Sequence, residues 1–384
     1  MQKIIQVLKK TKIGKMVRKE KWKRRSKKSL LSKRELNILK KNSKKWDLIL
    51  KKRLDQLPKK GRFLLENLNN IIDNSELKNL SFEEKKNLKE DMLKWYFAYG
   101  YTFNEYISYQ FFKKTENERF EFLSEKDVIN LCYEYNDIDD MSIISDKSKT
   151  YNKFKTFYKR DAVTIDENMN QEELRSFLIS NNKFIKKNIF EACGRSIEII
   201  KIDTENENIE DIIKSVASNN DIILEELVTQ SEDLAEFNST SVNTLRCITF
   251  NTKQGIMTPF FFMRFGREGK FIDNGAAGGL IVEVNKENGT LGEATDEYGN
   301  RFKFHPDSGK KFVDFKIPDW EKAIELCKQI STEIPTVHII GWDLAHTKDG
   351  WVIIEGNSMT EVIGPQSTMR KGIRGEIEKI IKIM

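Results

Sequence analysis

Residues 337–357 read VHIIGWDLAHTKDGWVIIEGN, two apolar runs either side of Lys348-Asp349-Gly350. Strand-forming residues flanking a Gly-containing turn predict a β-hairpin. A three-residue loop, built as a type I turn closed by a left-handed residue, takes glycine last, and Gly350 stands there. That register pairs Thr347 with Trp351 and sets Asp343 opposite Glu355. Asn357, two residues on, shares the face of Glu355. Two carboxylates and a side-chain amide on one face suit a hard divalent cation such as Mg²⁺. A two-residue loop would slip the register and turn Asp343 away.

Upstream of the hairpin lie two arginine-bearing strands. Asn243-Thr244-Leu245-Arg246 opens one, and Met263-Arg264-Phe265-Gly266-Arg267 ends another. Each guanidinium presents a planar fork of donors that matches phosphate or carboxylate oxygens. Just beyond lies Asp273-Asn274-Gly275-Ala276-Ala277-Gly278-Gly279, where small residues let backbone N–H groups approach an anion closely. Earlier, Phe184-Ile185-Lys186-Lys187-Asn188 places lysines at a strand end before Ala192-Cys193-Gly194-Arg195. Either Lys186 or Lys187 fits as a point charge for nucleotide phosphates. The run 222–228 carries Glu225 and Glu226 toward its end and reads on its own as an ordinary strand end, with a domain hinge as the alternative.

The remaining segments set the organisation. After residue 150 short strands, glycine turns and helices at 172–179, 209–217, 320–331 and 374–383 give an α+β texture. Residues 63–136 have helical spacing, with a capped start at Ser81-Phe82-Glu83-Glu84 and an aromatic stretch at 95–103 that reads as core. Residues 137–148 read as a polar linker. The domain expectation is a basic helical arm at 1–62, a helical domain at 63–148 and a two-lobed domain at 149–384, divided into a smaller lobe at 149–226 and a larger one at 227–384.

Charge separates the arm from the body. Residues 1–62 hold 25 Lys+Arg against 4 Asp+Glu, a net of +21, whereas the remaining 322 residues carry a net of −14. Apolar residues such as Leu8, Ile13, Trp22 and Leu31 are interleaved with the lysines. Such a helix is expected to rest on an anionic membrane surface. Nucleic acid would attract it by counterion release but is the disfavoured partner. No run approaches the ~20 apolar residues of a membrane span. The N-terminus lacks an apolar segment ending in small residues, so a secretory signal is not expected. Four scattered cysteines and three scattered histidines disfavour a disulfide framework and a structural zinc site. The expected location is the cytoplasm, or the periphery of the inner face of the membrane.

Taken in chain order, these elements resemble the ATP-grasp superfamily. The nearest likeness is to its sugar-transfer-associated family, through Ser241-Val242-Asn243-Thr244-Leu245-Arg246, Asp273-Asn274, Gly278-Gly279, His305-Pro306-Asp307-Ser308-Gly309, Ile317-Pro318-Asp319-Trp320 and the Gly341-Trp342-Asp343 to Asn357-Ser358 segment. The resemblance covers about residues 150–384. One departure is the phosphate-covering loop, which holds only Gly194 where the family holds several glycines. The resemblance implies a two-lobed ATP-grasp fold, preceded here by the helical region and its basic arm. It also implies ATP and Mg²⁺ as cofactors. Glu225, Glu226 and Leu227 would lie at the adenine hinge, and Lys186 or Lys187 would reach the phosphates together with Asn274, Gly278 and Gly279. Asp343, Glu355 and Asn357 would hold Mg²⁺, with Arg264, Arg246 and Asn243 as catalytic residues.

The activity expected from this likeness is that of an ATP- and Mg-dependent carboxylate–amine ligase working through an acyl phosphate. Its partners would be small-molecule or glycan carboxylates and amines, in the biosynthesis of cell-surface polysaccharide or a sugar conjugate. Two alternatives remain open at this stage. One is a phosphotransferase of the same fold acting on a sugar or polyol hydroxyl. The other is a non-catalytic nucleotide-binding protein at the membrane surface.

Overall fold

The computed structural model describes residues 31–32, 34–37, 46–55, 58–190, 197–203, 208–217, 221–269 and 278–384. Most of the basic arm, the loop at 191–196 and Asn274 therefore lie outside the described residues. The chain forms two compact units. One gathers residues 1–134, 293–302 and 361–383, and the other gathers 135–292, 303–360 and 384. The helical unit thus includes two segments from late in the sequence, and residues 135–148 belong with the sheets.

The helical unit is built by short helices with strong starts. Ser81 caps the helix Phe82–Tyr99 by accepting from the Glu84 N–H, while the Glu84 carboxylate accepts from the Ser81 N–H. Thr102 and Glu105 repeat this reciprocal pair at the helix Phe103–Ser108. The aromatic stretch turns inward, with Trp95, Phe97, Tyr101 and Phe103 each no more than 2% exposed. Trp95 meets Tyr101 and Phe111 edge-on, with ring centroids 5.5 and 5.2 Å apart. The late segment locks in through Gln366, whose Oε1 accepts from the Leu123 N–H at 2.8 Å. Arg374 adds donors to the Phe120 and Phe122 carbonyls at 2.7 and 2.9 Å.

The second unit opens with a correction. Residues 137–148 are not a linker, because they hold the helix Ile138–Ser145 and the start of the helix Lys147–Tyr158. The acids that make this stretch look polar are helix caps. Asp137 accepts from the Asp139 and Asp140 N–H groups, and Asp146 accepts from the Lys149 N–H. Met141 and Ile144 supply the buried side.

Beyond these helices stands a small antiparallel sheet in the order β1-β4-β2-β3, from Ala162–Ile165 (β1), Lys183–Asn188 (β2), Glu198–Lys201 (β3) and Ile222–Glu226 (β4). Side chains alternate across it. Val163, Phe184, Ile222 and Leu224 pack with Leu174, Phe177, Ile212 and Ile213 of the helices Gln171–Ser180 and Ile209–Ala217. Ile185, Lys187, Ile223 and Glu225 occupy the opposite face.

A larger sheet follows. Its strands are Thr244–Thr252 (β5), Gly255–Phe265 (β6), Leu280–Val284 (β7), Leu291–Thr295 (β8), Arg301–Phe302 (β9), Ile339–Thr347 (β10) and Gly350–Asn357 (β11). β11, β10, β5, β6 and β7 lie side by side in that order, and all these pairings are antiparallel. The helix Trp320–Thr332 packs on this sheet through Trp320, Ala323, Cys327 and Ile330.

The β10–β11 hairpin departs from the expected register near its turn. Thr347 pairs with Gly350, so the loop holds two residues, Lys348 and Asp349. Thr347 favours this closure: its hydroxyl donates to the Gly350 carbonyl at 2.8 Å and accepts from the Asp349 N–H at 3.2 Å. The slip does not reach the carboxylates. Leu344 pairs with Ile353 but Asp343 pairs with Glu355, which leaves Ile354 as an extra bulged residue. The bulge restores Asp343 to its place opposite Glu355.

Candidate functional site

Strand register gathers the chemistry on one face of the larger sheet. Asp343 on β10 stands between Glu355 on β11 and Arg246 on β5. Two residues along the neighbouring strands, Asn357 pairs with Gly341 and Arg264 with Thr244, so Asn357 and Arg264 share the face. Gly341 is required by this crowding. A Cβ there would lie 2.2 Å from Thr360 Oγ1 and 3.1 Å from Arg246 Cδ.

Asp343 has no exposed surface, and two guanidiniums hold it. Arg246 approaches edge-on, with Nε on Oδ1 and Nη2 on Oδ2 at 2.8 Å. Arg264 places Nη2 2.8 Å from the same Oδ2, and its Nε donates to Thr244 Oγ1 at 3.0 Å. Burial by itself would raise the Asp343 pKa, but the two arginines bring it down to about 2. Glu355 shifts the other way, pushed up by loss of solvent and by the charge on Asp343. The two carboxyls are therefore shifted in opposite directions. The Asn357 amide spans both acids, at 3.3 Å from Asp343 and 3.4 Å from Glu355.

This donor set fits a divalent cation. Two adjoining carboxylates cannot both ionise cheaply unless positive charge lies beside them, and a divalent cation held there would add to that of the two arginines. Among the described residues no cluster of three or more His, Cys, Asp or Glu side chains is placed for a metal. The third donor here is an amide. Beside the acids opens a cavity of about 220 Å³ lined by Lys147, Tyr158, Phe190, Glu355, Asn357 and Ser358, among others.

A second buried charge cluster sits on the face of the small sheet turned away from its two helices. Glu225 accepts from Lys187 Nζ at 2.9 Å and from Arg160 at 2.6 and 3.1 Å. Burial pushes Glu225 up, yet Lys187 and Arg160 together hold it at about 2. Arg160 also donates to the Ile353 carbonyl of β11 at 2.6 Å, which ties the Glu225 cluster to the β10–β11 hairpin.

The remaining expected site residues take varied places. Lys186 projects to the other side of β2 and pairs with Glu198 at 3.1 Å, so the two lysines are not equivalent. Glu226 is exposed and its carboxylate accepts from the Asp161 N–H at 3.2 Å, while Leu227 is half-buried. Asn243 is fully buried, and its amide donates to the Leu234 and Asn238 carbonyls at 2.9 and 3.0 Å. It therefore shapes the turn before β5. Gly279 is buried, and the Gly278 carbonyl accepts from Arg267 Nε. Sequence reasoning missed Lys147, Tyr158 and Arg160. Asp146 as a helix cap was the available signal for Lys147, because it starts a helix there; Arg160 carried none.

The family described as sugar-transfer associated ATP-grasp matches residues 128–382. A search of curated proteins finds no match. Among solved structures, the ADP complex of an N5-carboxyaminoimidazole ribonucleotide synthetase is similar with a TM-score of 0.39 at 13% identity, over 63% of this chain and 53% of that one. The D-alanine–D-alanine ligase of Coxiella burnetii follows at 0.38 and 11%, over 65% of this chain and 58% of that one. The corresponding ligase of Helicobacter pylori gives 0.38 and 15%, over 67% and 68%. The chain spans little more than half the length of the first two, at 53% and 58%.

Proposed function

The chain belongs to the sugar-transfer associated ATP-grasp family, and from that footing we propose that it is an ATP- and Mg²⁺-dependent carboxylate–amine ligase. The observation that carries the proposal is the Asp343–Glu355 pair, Asp343 buried and Glu355 half-buried, bridged by Asn357 and met by Arg246 and Arg264 on one sheet face. No side-chain nucleophile is needed for this chemistry. ATP phosphorylates a substrate carboxylate, and an amine then displaces phosphate from the acyl phosphate.

In this reading Asp343, Glu355 and Asn357 would hold Mg²⁺, which when bound would supply positive charge to offset that of the phosphates. Arg264 and Arg246, whose charge is now set against Asp343, stabilise the transferring phosphoryl group. Lys187 is the better phosphate lysine, because it shares the sheet face of Glu225 while Lys186 points to the other side and pairs with Glu198. Lys147 joins it from the cavity wall. Glu226 and Leu227 frame the adenine where β4 ends. Asn243 acts by holding the start of β5, three residues before Arg246. The family name supports substrates from surface-polysaccharide or sugar-conjugate assembly.

Phosphate release from ATP, measured against paired panels of amino acids and uronic-acid sugars, tests the proposal. A ligase releases free phosphate only when a carboxylate and an amine are both present. Phosphate retained on a hydroxyl product would instead identify a phosphotransferase. ATP binding without turnover across the whole panel would identify a binding protein.

A further inference from the structure

Residues 305–309, HPDSG, lie outside the cluster used by the ligase reading, yet they hold the strand end that carries one of its arginines. His305 is 1% exposed and sits within 2.8 Å of the Gly266 carbonyl through Nε2. Its Nδ1 faces the Asp307 and Ser308 N–H groups at 3.2 and 3.4 Å, so Nδ1 accepts and the proton resides on Nε2. Asp307 reaches across to accept from the Glu268 N–H at 2.6 Å. Glu268 has φ +59°, a left-handed conformation that a residue with a side chain adopts only when something holds it. Between these two contacts Arg267 donates from Nε to the Gly278 carbonyl.

The same strand end is held from its other side. A Cβ at Gly266 would lie 2.3 Å from Ser241 Oγ and 2.6 Å from Asn238 Nδ2, so backbone here fills the space between two loops. The HPDSG loop itself has a firm base. Its backbone closes through His305 N–H to the Lys310 carbonyl at 2.8 Å. Lys310 pairs with Glu236 and lies 5.1 Å over the Phe237 ring, which stacks on Phe312. Arg264, two residues before Gly266, reaches Asp343 at 2.8 Å.

We infer that the HPDSG loop is a strap that sets the position of Arg264 and of the Arg267–Gly278 contact, with His305 and Asp307 as positioning residues for the γ-phosphoryl group. The inference rests on the ligase reading for its nucleotide but not for its geometry. Two measurements on the full chain test it: amide hydrogen exchange over 264–269, and calorimetric affinities for Mg-ATP and Mg-ADP. Asp307→Ala and His305→Ala are expected to speed exchange in this segment and to weaken Mg-ATP about tenfold or more while sparing Mg-ADP. Asp307→Asn keeps an acceptor for the Glu268 N–H and is expected to restore both. Unchanged exchange in the two alanine variants overturns the strap. Equal loss of Mg-ATP and Mg-ADP, or failure of the asparagine to rescue, overturns the positioning role. If the wild-type chain binds neither nucleotide, the ligase reading falls, and the exchange data alone then decide the strap.

Discussion

At Asp343 the energetic sign of each neighbour differs, and stability measurements expose the difference. Asp343 is a buried anion between two guanidiniums, so Asp343→Ala leaves two buried positive charges without their partner. A loss of about 3–5 kcal/mol in a urea titration is expected. Glu355 is the reverse case, since its ionised form is disfavoured beside Asp343. Glu355→Gln keeps the shape without the charge and should leave stability equal to wild type or higher. Comparable losses in both variants would contradict the opposite shifts of the two carboxyls. Arg160→Ala should cost an amount similar to Asp343→Ala, because Glu225 then keeps Lys187 alone. The Asp343, Glu355 and Asn357 set was legible from spacing, since strand alternation fixes which residues share a face. Arg160 was not: its role arises from two elements that lie far apart in the chain, Glu225 and Ile353.

Among the elements, the hairpin and the capped helices teach opposite lessons. The hairpin was read with the wrong turn and the right rung, because the bulge at Ile354 cancels the slip that Thr347 and Gly350 introduce. Bulges leave little trace in composition, so no spacing rule could have found this one. The helices at 138–158 were hidden because capping acids resemble linker residues until their N–H partners are known. Glu105 offers a test at this scale. Its carboxyl receives the Thr102 and Glu125 N–H groups, both at 2.6 Å, and so joins the starts of two helices. Burial dominates those contacts and raises its pKa to about 8. A raised carboxyl favours folding fully below its unfolded value, about 4.5, and that contribution is lost as pH rises through about 8. Glu105→Gln does not titrate. Thermal melts should therefore show the advantage of wild type over Glu105→Gln shrinking from pH 5 to pH 9, and a gap that widens with pH would contradict the assignment.

For the whole molecule the dominant feature is the division between an arm of +21 and a body of −14. No described helix is long and apolar enough to cross a membrane. We propose that the arm brings the enzyme to the inner membrane face by attraction to anionic lipid, a contribution of about 1 kcal/mol per basic residue near the surface. Removing residues 1–62 should abolish co-sedimentation with vesicles containing phosphatidylglycerol and leave ATP affinity unchanged. Equal sedimentation of the shortened chain would refute the membrane role. The order of motifs along residues 150–384 made the family legible. The grouping of 293–302 and 361–383 with the helical unit was not, since it depends on contacts such as Gln366 with Leu123 that no local pattern announces.

The most direct test of the metal site is a titration of Mn²⁺, followed by electron paramagnetic resonance, into the full chain with a non-hydrolysable ATP analogue. The wild type should take up the ion with the nucleotide. Asp343→Asn and Glu355→Gln, each confirmed as folded by circular dichroism, should weaken that uptake by about 100-fold. Folded variants that bind Mn²⁺ and nucleotide as tightly as the wild type would remove the acids from the metal site and leave the ligase proposal without its centre.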